Sequence, residues 1–200
     1  MLISFSEIVK KYGKPLGIVH IGAHGGEEVP DYLVEGVKKI VLIEAIKEKA
    51  DYLKRTLKET EIQVIEACLS DEETEVTFNI TNNGQSSSFL ELGTHKTEHP
   101  DVYIVEYRKL KTVCYDSLNV DDKDCDFLNL DIQGAELKAL KGMGDKLIQF
   151  KYIYTEVNVK ELYKGCALLP ELESYLSEYG FKLVEKSISG HGWGDALFLK

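Results

Sequence analysis

The run His20 to Glu28, HIGAHGGEE, carries the first chemical signal. Gly22 directly follows an apolar run, and Gly25 and Gly26 precede a helical pattern. Glycines so placed let backbone approach a ligand and let a helix N-terminus point at it. Taken alone they also suit an ordinary tight turn. Glu44, 22 residues after Gly22, lies near the end of the next apolar run, KIVLIEA. A carboxylate there accepts hydrogen bonds from the two hydroxyls of a ribose. Together these residues predict an adenosine-type ligand across one end of a sheet. The spacing is G-x-x-G-G, so the G-x-G-x-x-G pyrophosphate fingerprint is not met.

Three further groups are candidates to move a proton. Asp131 ends the apolar run DFLNLD. Glu156, with Asn158 just after it, ends YIYTEV. His191 and Trp193 lie in the glycine-rich loop SISGHGWG. Each has a bland alternative: an N-cap for Asp131, a surface acid for Glu156, and a turn with one packed ring for the loop. His20, inside an apolar run, reads as a core histidine. The segment ACLSD, with Cys68, flanks the adenine in sheets of this kind, or is an ordinary strand exit with Ser70 in the turn. His95 and His99 have H-x-x-x-H spacing without an evident third ligand, and none of the four cysteines forms a C-x-x-C pair. No zinc site is expected.

These groups must be held by elements, and the pattern of elements is regular. A helix is predicted over Ser4 to Tyr12, ended by Pro15. GIVHIG, KIVLIEA and IQVIEA read as buried strands separated by helices near Glu27 to Glu35 and Lys47 to Glu59. EVTFNIT alternates with period 2 and reads as an extra or edge strand. DFLNLD and YIYTEV are the fourth and fifth core strands, with a helix from Ala135 to about Leu140 between them. A helix over Leu169 to Glu178 precedes FKLVEK and DALFLK, whose short connection makes them an antiparallel hairpin. The expected fold is α/β, a single domain over residues 1–200, with a mostly parallel seven-stranded sheet and an antiparallel terminal hairpin. Residues 1–15 form an N-terminal helix. Residues 82–113 read as one long irregular stretch, and such a stretch is a candidate substrate loop or lid.

Composition narrows the partners. Of 200 residues, 44% are hydrophobic and 29% charged, which is ordinary for a globular domain and excludes disorder. The net charge of −10, with basic clusters broken up by acids, disfavours nucleic acid. No apolar run is long enough for a membrane helix. MLISFSEIVKKYGK lacks the long apolar core of a signal peptide, so a cytoplasmic protein is expected.

Four stretches in order, HIGAHGGEE, EACLSDEETEVTFNI, NNGQSSSFLE and LNLDIQGAELKALKG, resemble the FkbM-type methyltransferases. The last is the most specific, with Asp131, Gly134, Glu136 and Leu140 to Gly142 in place. The resemblance runs from about Ile18 to DALFLK. It implies a Rossmann-like class I methyltransferase domain that uses S-adenosylmethionine. It implies a cofactor site made of Gly22, Ala23, His24, Gly25, Glu44, Ala45, Cys68, Ser88 and Asp131. Many members have aspartate where His20 stands and asparagine where His24 stands. His24 is then placed to contact the methionine end of the cofactor.

The family is known for methylating hydroxyl oxygens of sugars and natural products such as macrolides. A saccharide or other hydroxyl-bearing small molecule is therefore the expected acceptor, with Tyr103, Tyr107 and Trp193 as candidate stacking rings. Asp131, Glu156 and His191 are the candidate bases. A magnesium or manganese ion held by Asp131 with Glu156 or Asn158 is the alternative, disfavoured because no third strong ligand is visible. Two other readings compete. A nicotinamide-dependent oxidoreductase shares the glycine turn and Glu44 but lacks the pyrophosphate spacing. A binding module without activity would not need both Glu44 and Asp131.

Overall fold

Alternation along the central strands divides the core between two sheet faces. In the computed structural model, which describes residues 1–200, β1 (Gly17–Ile21) lies between β2 (Lys39–Glu44) and β7 (Phe127–Leu130), parallel to both. Val19, Ile21, Val41, Ile43, Leu128 and Leu130 face one apolar layer, while Ile18, Ile40, Leu42 and Phe127 face the other. Burial on both faces explains why these strands read as nearly unbroken apolar runs. Each such side chain contributes about 1.5–3 kcal/mol on leaving water.

The second layer is covered by α1 (Phe5–Tyr12), α2 (Val29–Val34) and α3 (Lys47–Thr56), through Phe5, Ile8, Tyr32 and Leu53. The first is covered by α5 (Glu136–Lys141) and α6 (Leu169–Glu178), through Ala139, Leu140, Leu172 and Leu176. The sheet is completed by β3 (Gln63–Glu66), β8 (Tyr152–Asn158), β9 (Lys182–Ile188) and β10 (Trp193–Leu199). Its order is β3-β2-β1-β7-β8-β10-β9, with β10 antiparallel to both of its neighbours. This is the mostly parallel α/β sheet with a reversed last strand that the sequence predicts. No helix is long and apolar enough to cross a membrane.

One expectation is resolved and one is corrected. EVTFNIT is the extra strand of its two readings and not an edge of the main sheet. It is β5 (Glu75–Thr81) of a separate three-stranded sheet ordered β4-β6-β5, with β4 at Cys68–Leu69. Residues 82–113 are not irregular throughout, because β6 (Ile104–Val113) pairs antiparallel with β5, and α4 (His95–Glu98) forms one turn. The irregular part is confined to residues 82–103. β6 escapes sequence reading because, Thr112 apart, it is at least partly exposed on both faces, so IVEYRKLKTV carries no clean period of 2.

Candidate active site

The carboxyl ends of β1, β2, β7 and β8 converge on one cleft. At Gly22, φ is +85°, and a Cβ there would lie 1.8 Å from the Asp131 carbonyl oxygen. Only glycine allows the exits of β1 and β7 to come this close. The turn is then pinned to β2. The N–H groups of Gly22 and Ala23 donate to the Ile43 carbonyl at 2.8 and 3.1 Å. The Glu44 carboxylate accepts N–H groups from both sides of the cleft, those of His24 and Ile46. Glu44 is buried. Desolvation raises its pKa, and the two N–H donors oppose that rise by favouring the ionised form.

Glu44 opens onto a narrow slot of about 60 Å³. Ala45, Ile46, Cys68, Phe78 and Phe89 give it apolar walls, and Gly84, Gln85 and Ser87 close its outer side. Burial pushes the Cys68 thiol up to about 12, so it serves as a wall and not as a nucleophile. The slot shares Gly22, His24, Gln85, Asp131 and Gln133 with a larger chamber of about 380 Å³. An apolar slot with a buried carboxylate in its lining, beside a polar chamber, fits an adenosyl cofactor. The buried Nε2 of His24 has no partner within the protein and is a free polar contact there.

The chamber floor is acidic. Asp131 follows β7, and Glu156 lies two residues from the end of β8. Their carboxylates meet at one group, the Gln133 amide, whose Nε2 donates to Asp131 Oδ1 and to Glu156 Oε2, both at 2.6 Å. Asp195 on β10 accepts from the hydroxyl of Tyr154 and lines the same chamber. Glu136, at the start of α5, is buried and accepts the N–H groups of Ile132 and Gly134 at 3.0 and 3.1 Å. Asp131 is exposed to the chamber yet ringed by protein atoms, and the resulting desolvation raises its pKa to about 6. Burial likewise lifts Glu136 to about 7 and raises Glu156 well above the usual carboxylate range, with Asp131 adding like-charge repulsion. Groups of this kind exchange protons near neutral pH.

Imidazoles line the rest of the chamber. His20 is buried, lies 3.4 Å from the Tyr32 hydroxyl and also faces the chamber, so it is not solely a core residue. His95 and His99 form part of the wall with Trp193 and Leu162. His95 is buried with an unpartnered Nδ1.

Several expected site residues lie elsewhere. His191 is exposed and outside the chamber. It sits 3.3 Å from Glu98 and packs on His99 with ring centroids 4.8 Å apart. The hairpin tip extends past the sheet edge, which carries His191 away from Asp131. Ser88 does not line the cleft, because its main chain pairs with Asn79 and its hydroxyl accepts the Leu90 N–H. Ser86 and Ser87 reach the cleft instead. Ala23 packs in the core, and the Gly25 N–H donates to Glu27. Asn158 is buried outside the cleft, and Tyr103 and Tyr107 are exposed away from it. No group of three or more His, Cys, Asp or Glu side chains is arranged to hold a metal ion.

Gln133, Tyr163 and Asp195 were not singled out in the sequence. Gln133 could have been found, since it lies inside the DIQGAE run. Tyr163 lies in an irregular loop with no local signal.

The family model of the methyltransferase FkbM domain matches residues 20–183. No curated protein matches the chain. Among solved structures the fold is similar to a SAM-dependent methyltransferase from Aquifex aeolicus, with a TM-score of 0.53, 13% identity, and coverage of 99% of this chain and 90% of that one. It is also similar to a ribosomal protein L11 methylase from Lactobacillus delbrueckii subsp. bulgaricus, with a TM-score of 0.56, 12% identity, and coverage of 98% and 76%. A third is the Burkholderia thailandensis 1,6-didemethyltoxoflavin-N1-methyltransferase with bound 1,6-didemethyltoxoflavin and S-adenosylhomocysteine, with a TM-score of 0.54, 9% identity, and coverage of 98% and 75%. At these identities the likeness is one of fold.

Proposed function

The chain belongs to the FkbM family of S-adenosylmethionine-dependent methyltransferases, and on that footing we propose that it methylates a hydroxyl oxygen of a saccharide. The observation that carries this reading is the continuity of the Glu44 slot with the acid-floored chamber at Asp131 and Gln133. When bound, the cofactor supplies a methyl carbon on a positively charged sulfur. Glu44 holds the ribose. The slot walls exclude water from the base. Asp131 and Glu156 face the cationic end with negative charge.

The acceptor then occupies the chamber. A hydroxyl is a weak nucleophile, so the protein must hold it in line and take its proton. Asp131 Oδ and Glu156 Oε are the groups that receive it. Asn83, Ser86, Asn129 and His95 offer neutral hydrogen-bonding partners suited to several hydroxyls, and Trp193 offers a ring face for a sugar. No lysine or arginine lines the chamber, and the net charge is −10, which disfavours a polyphosphate chain as substrate.

Transfer of labelled methyl from S-adenosylmethionine is the test, run against saccharides, hydroxylated natural products and RNA. Label in a saccharide ether is expected. Label only in a natural product would keep O-methylation and remove the sugar. Label only in RNA would overturn the proposal.

A further inference from the structure

The turn that follows β7 is built around one side chain. Gln133 adopts a left-handed backbone conformation, φ +58°, which non-glycine residues rarely take. Such a conformation persists only where the surroundings hold it. Here they do so at both ends of the amide. Oε1 accepts the Tyr163 hydroxyl at 2.5 Å, and Nε2 donates to Asp131 and Glu156. The two carboxylates on one side and the phenol on the other fix which end faces which. Tyr163 also presses on the next residue: a Cβ at Gly134 would lie 3.0 Å from Tyr163 Cβ.

We propose that Gln133 is a positioning residue for methyl transfer: oriented by Tyr163, its amide clasps Asp131 and Glu156 together and keeps that pair able to release a proton, so that a charged carboxylate meets the acceptor oxygen. This rests on the reading of the chamber as the methyl-transfer site. Amide donors stabilise the ionised form of a carboxylate. The charged groups around the pair work the other way. Asp195 on β10, Glu136 on α5 and Glu28 ahead of α2 all repel added negative charge. Around the pair the chamber is lined by the imidazoles of His20, His24, His95 and His99, the phenols of Tyr154 and Tyr163, the carboxylates of Glu27, Glu28 and Asp195, and the Met1 ammonium, which pairs with Glu28 at 3.5 Å; none is a lysine or arginine. The two amide N–H groups donate to both carboxylates and thereby favour ionisation of the pair.

The cofactor and its product report on this directly, because S-adenosylmethionine carries the sulfonium charge and S-adenosylhomocysteine does not. Ionised carboxylates favour the first. The ratio of the two affinities, measured by calorimetry from pH 5 to pH 9, should rise with a midpoint set by the pair. Gln133→Leu keeps bulk and removes both donors, so the midpoint should move up by about one pH unit, a roughly tenfold rise in proton affinity. Tyr163→Phe keeps the ring against Gly134 and frees the amide, so its shift should be in the same direction and smaller. S-adenosylhomocysteine affinity at the alkaline end should stay within about threefold for Tyr163→Phe, because Tyr163 lines the chamber and not the Glu44 slot.

A midpoint unmoved in both variants, with homocysteine-product binding retained, overturns the inference alone. Uniform loss of both ligands at every pH in Tyr163→Phe would show a merely structural role and also overturns it. Binding of neither ligand by the unsubstituted chain would overturn the reading of the cavity itself.

Discussion

The Glu44 carboxylate accepts the main-chain N–H of His24 at 2.7 Å. A residue at the end of β2 thereby sets the path of the turn after β1. Its other oxygen accepts Ile46 N–H, also at 2.7 Å, so both walls of the slot depend on one side chain. Glu44→Ala is expected to weaken cofactor binding roughly tenfold or more, since hydrogen bonds to a charged acceptor are worth about 1.5–3 kcal/mol each. It should also lower the melting temperature, because a buried N–H group and a part-buried one lose their acceptor. Calorimetry with S-adenosylhomocysteine checks the first effect, and an unchanged affinity removes Glu44 from the site.

Glu156 is buried and its carboxyl is held well above the usual range, first by desolvation and then by Asp131. A folded-state pKa above the unfolded value gives a contribution that is full below the unfolded pKa and lost as pH rises. Buried His20 and His95, whose pKa values are lowered by desolvation, act in the opposite direction below about pH 6.5. Comparison with Glu156→Gln cancels those background groups. The variant should gain stability relative to the unsubstituted chain as pH rises from about 5 to 8, read as a melting-temperature difference that widens with pH. Thermal melts that stay a constant distance apart across this range would contradict the burial of a titrating carboxyl at position 156.

At Gly22 the backbone carbonyl of Asp131 occupies the place of a side chain. Gly22→Ala should cost more than about 4 kcal/mol, combining a steric clash with a positive φ. Gly190→Ala is the matched control, since nothing lies within 4 Å of its Cβ position. It should melt within about 2 °C of the unsubstituted chain. Circular-dichroism melts of the two proteins test both statements, and a Gly22→Ala protein as stable as its control would mean that β1 and β7 do not meet as described.

The Gln133 amide, a donor, occupies the point between Asp131 and Glu156. A cation bridging the same oxygens would have to displace it, and no third acid or imidazole is arranged to help hold one. EDTA is therefore expected to leave methyl-label transfer unchanged. Loss of transfer that magnesium or manganese restores would place a metal between the two acids and displace the free-base assignment.

Legibility followed burial. Gly17–Ile21, Lys39–Glu44 and Phe127–Leu130 could be read from sequence because both of their faces lie in the core, which demands unbroken apolar runs. Their ends located Glu44 and Asp131, since a parallel sheet offers its carboxyl edge to ligands. Ile104–Val113 was missed because much of it faces water on both sides and its pattern carries little core signal. Ser88 and His191 were misplaced for another reason. Each stands one or two residues from a side chain that does reach the cleft, Ser87 or Trp193, and sequence spacing in a turn does not say which one points inward. Tyr163 was invisible because its role depends on contact with Gln133, thirty positions away.

The placing of β10 between β8 and β9 has a consequence for how the protein comes into being. A chain synthesised from its N-terminus presents β8 with one unpaired edge until residues 193–199 have emerged. During that interval the row of open N–H and C=O groups is a template for any passing strand. Asp195, a wall of the chamber, arrives in the same segment. The nascent chain can therefore assemble the Glu44 slot, which β1, β2, the β4–β6 unit and the turn after β7 supply, before it can finish the larger chamber. Cofactor captured early would stabilise β1 and β2 while the sheet waits for its last strand.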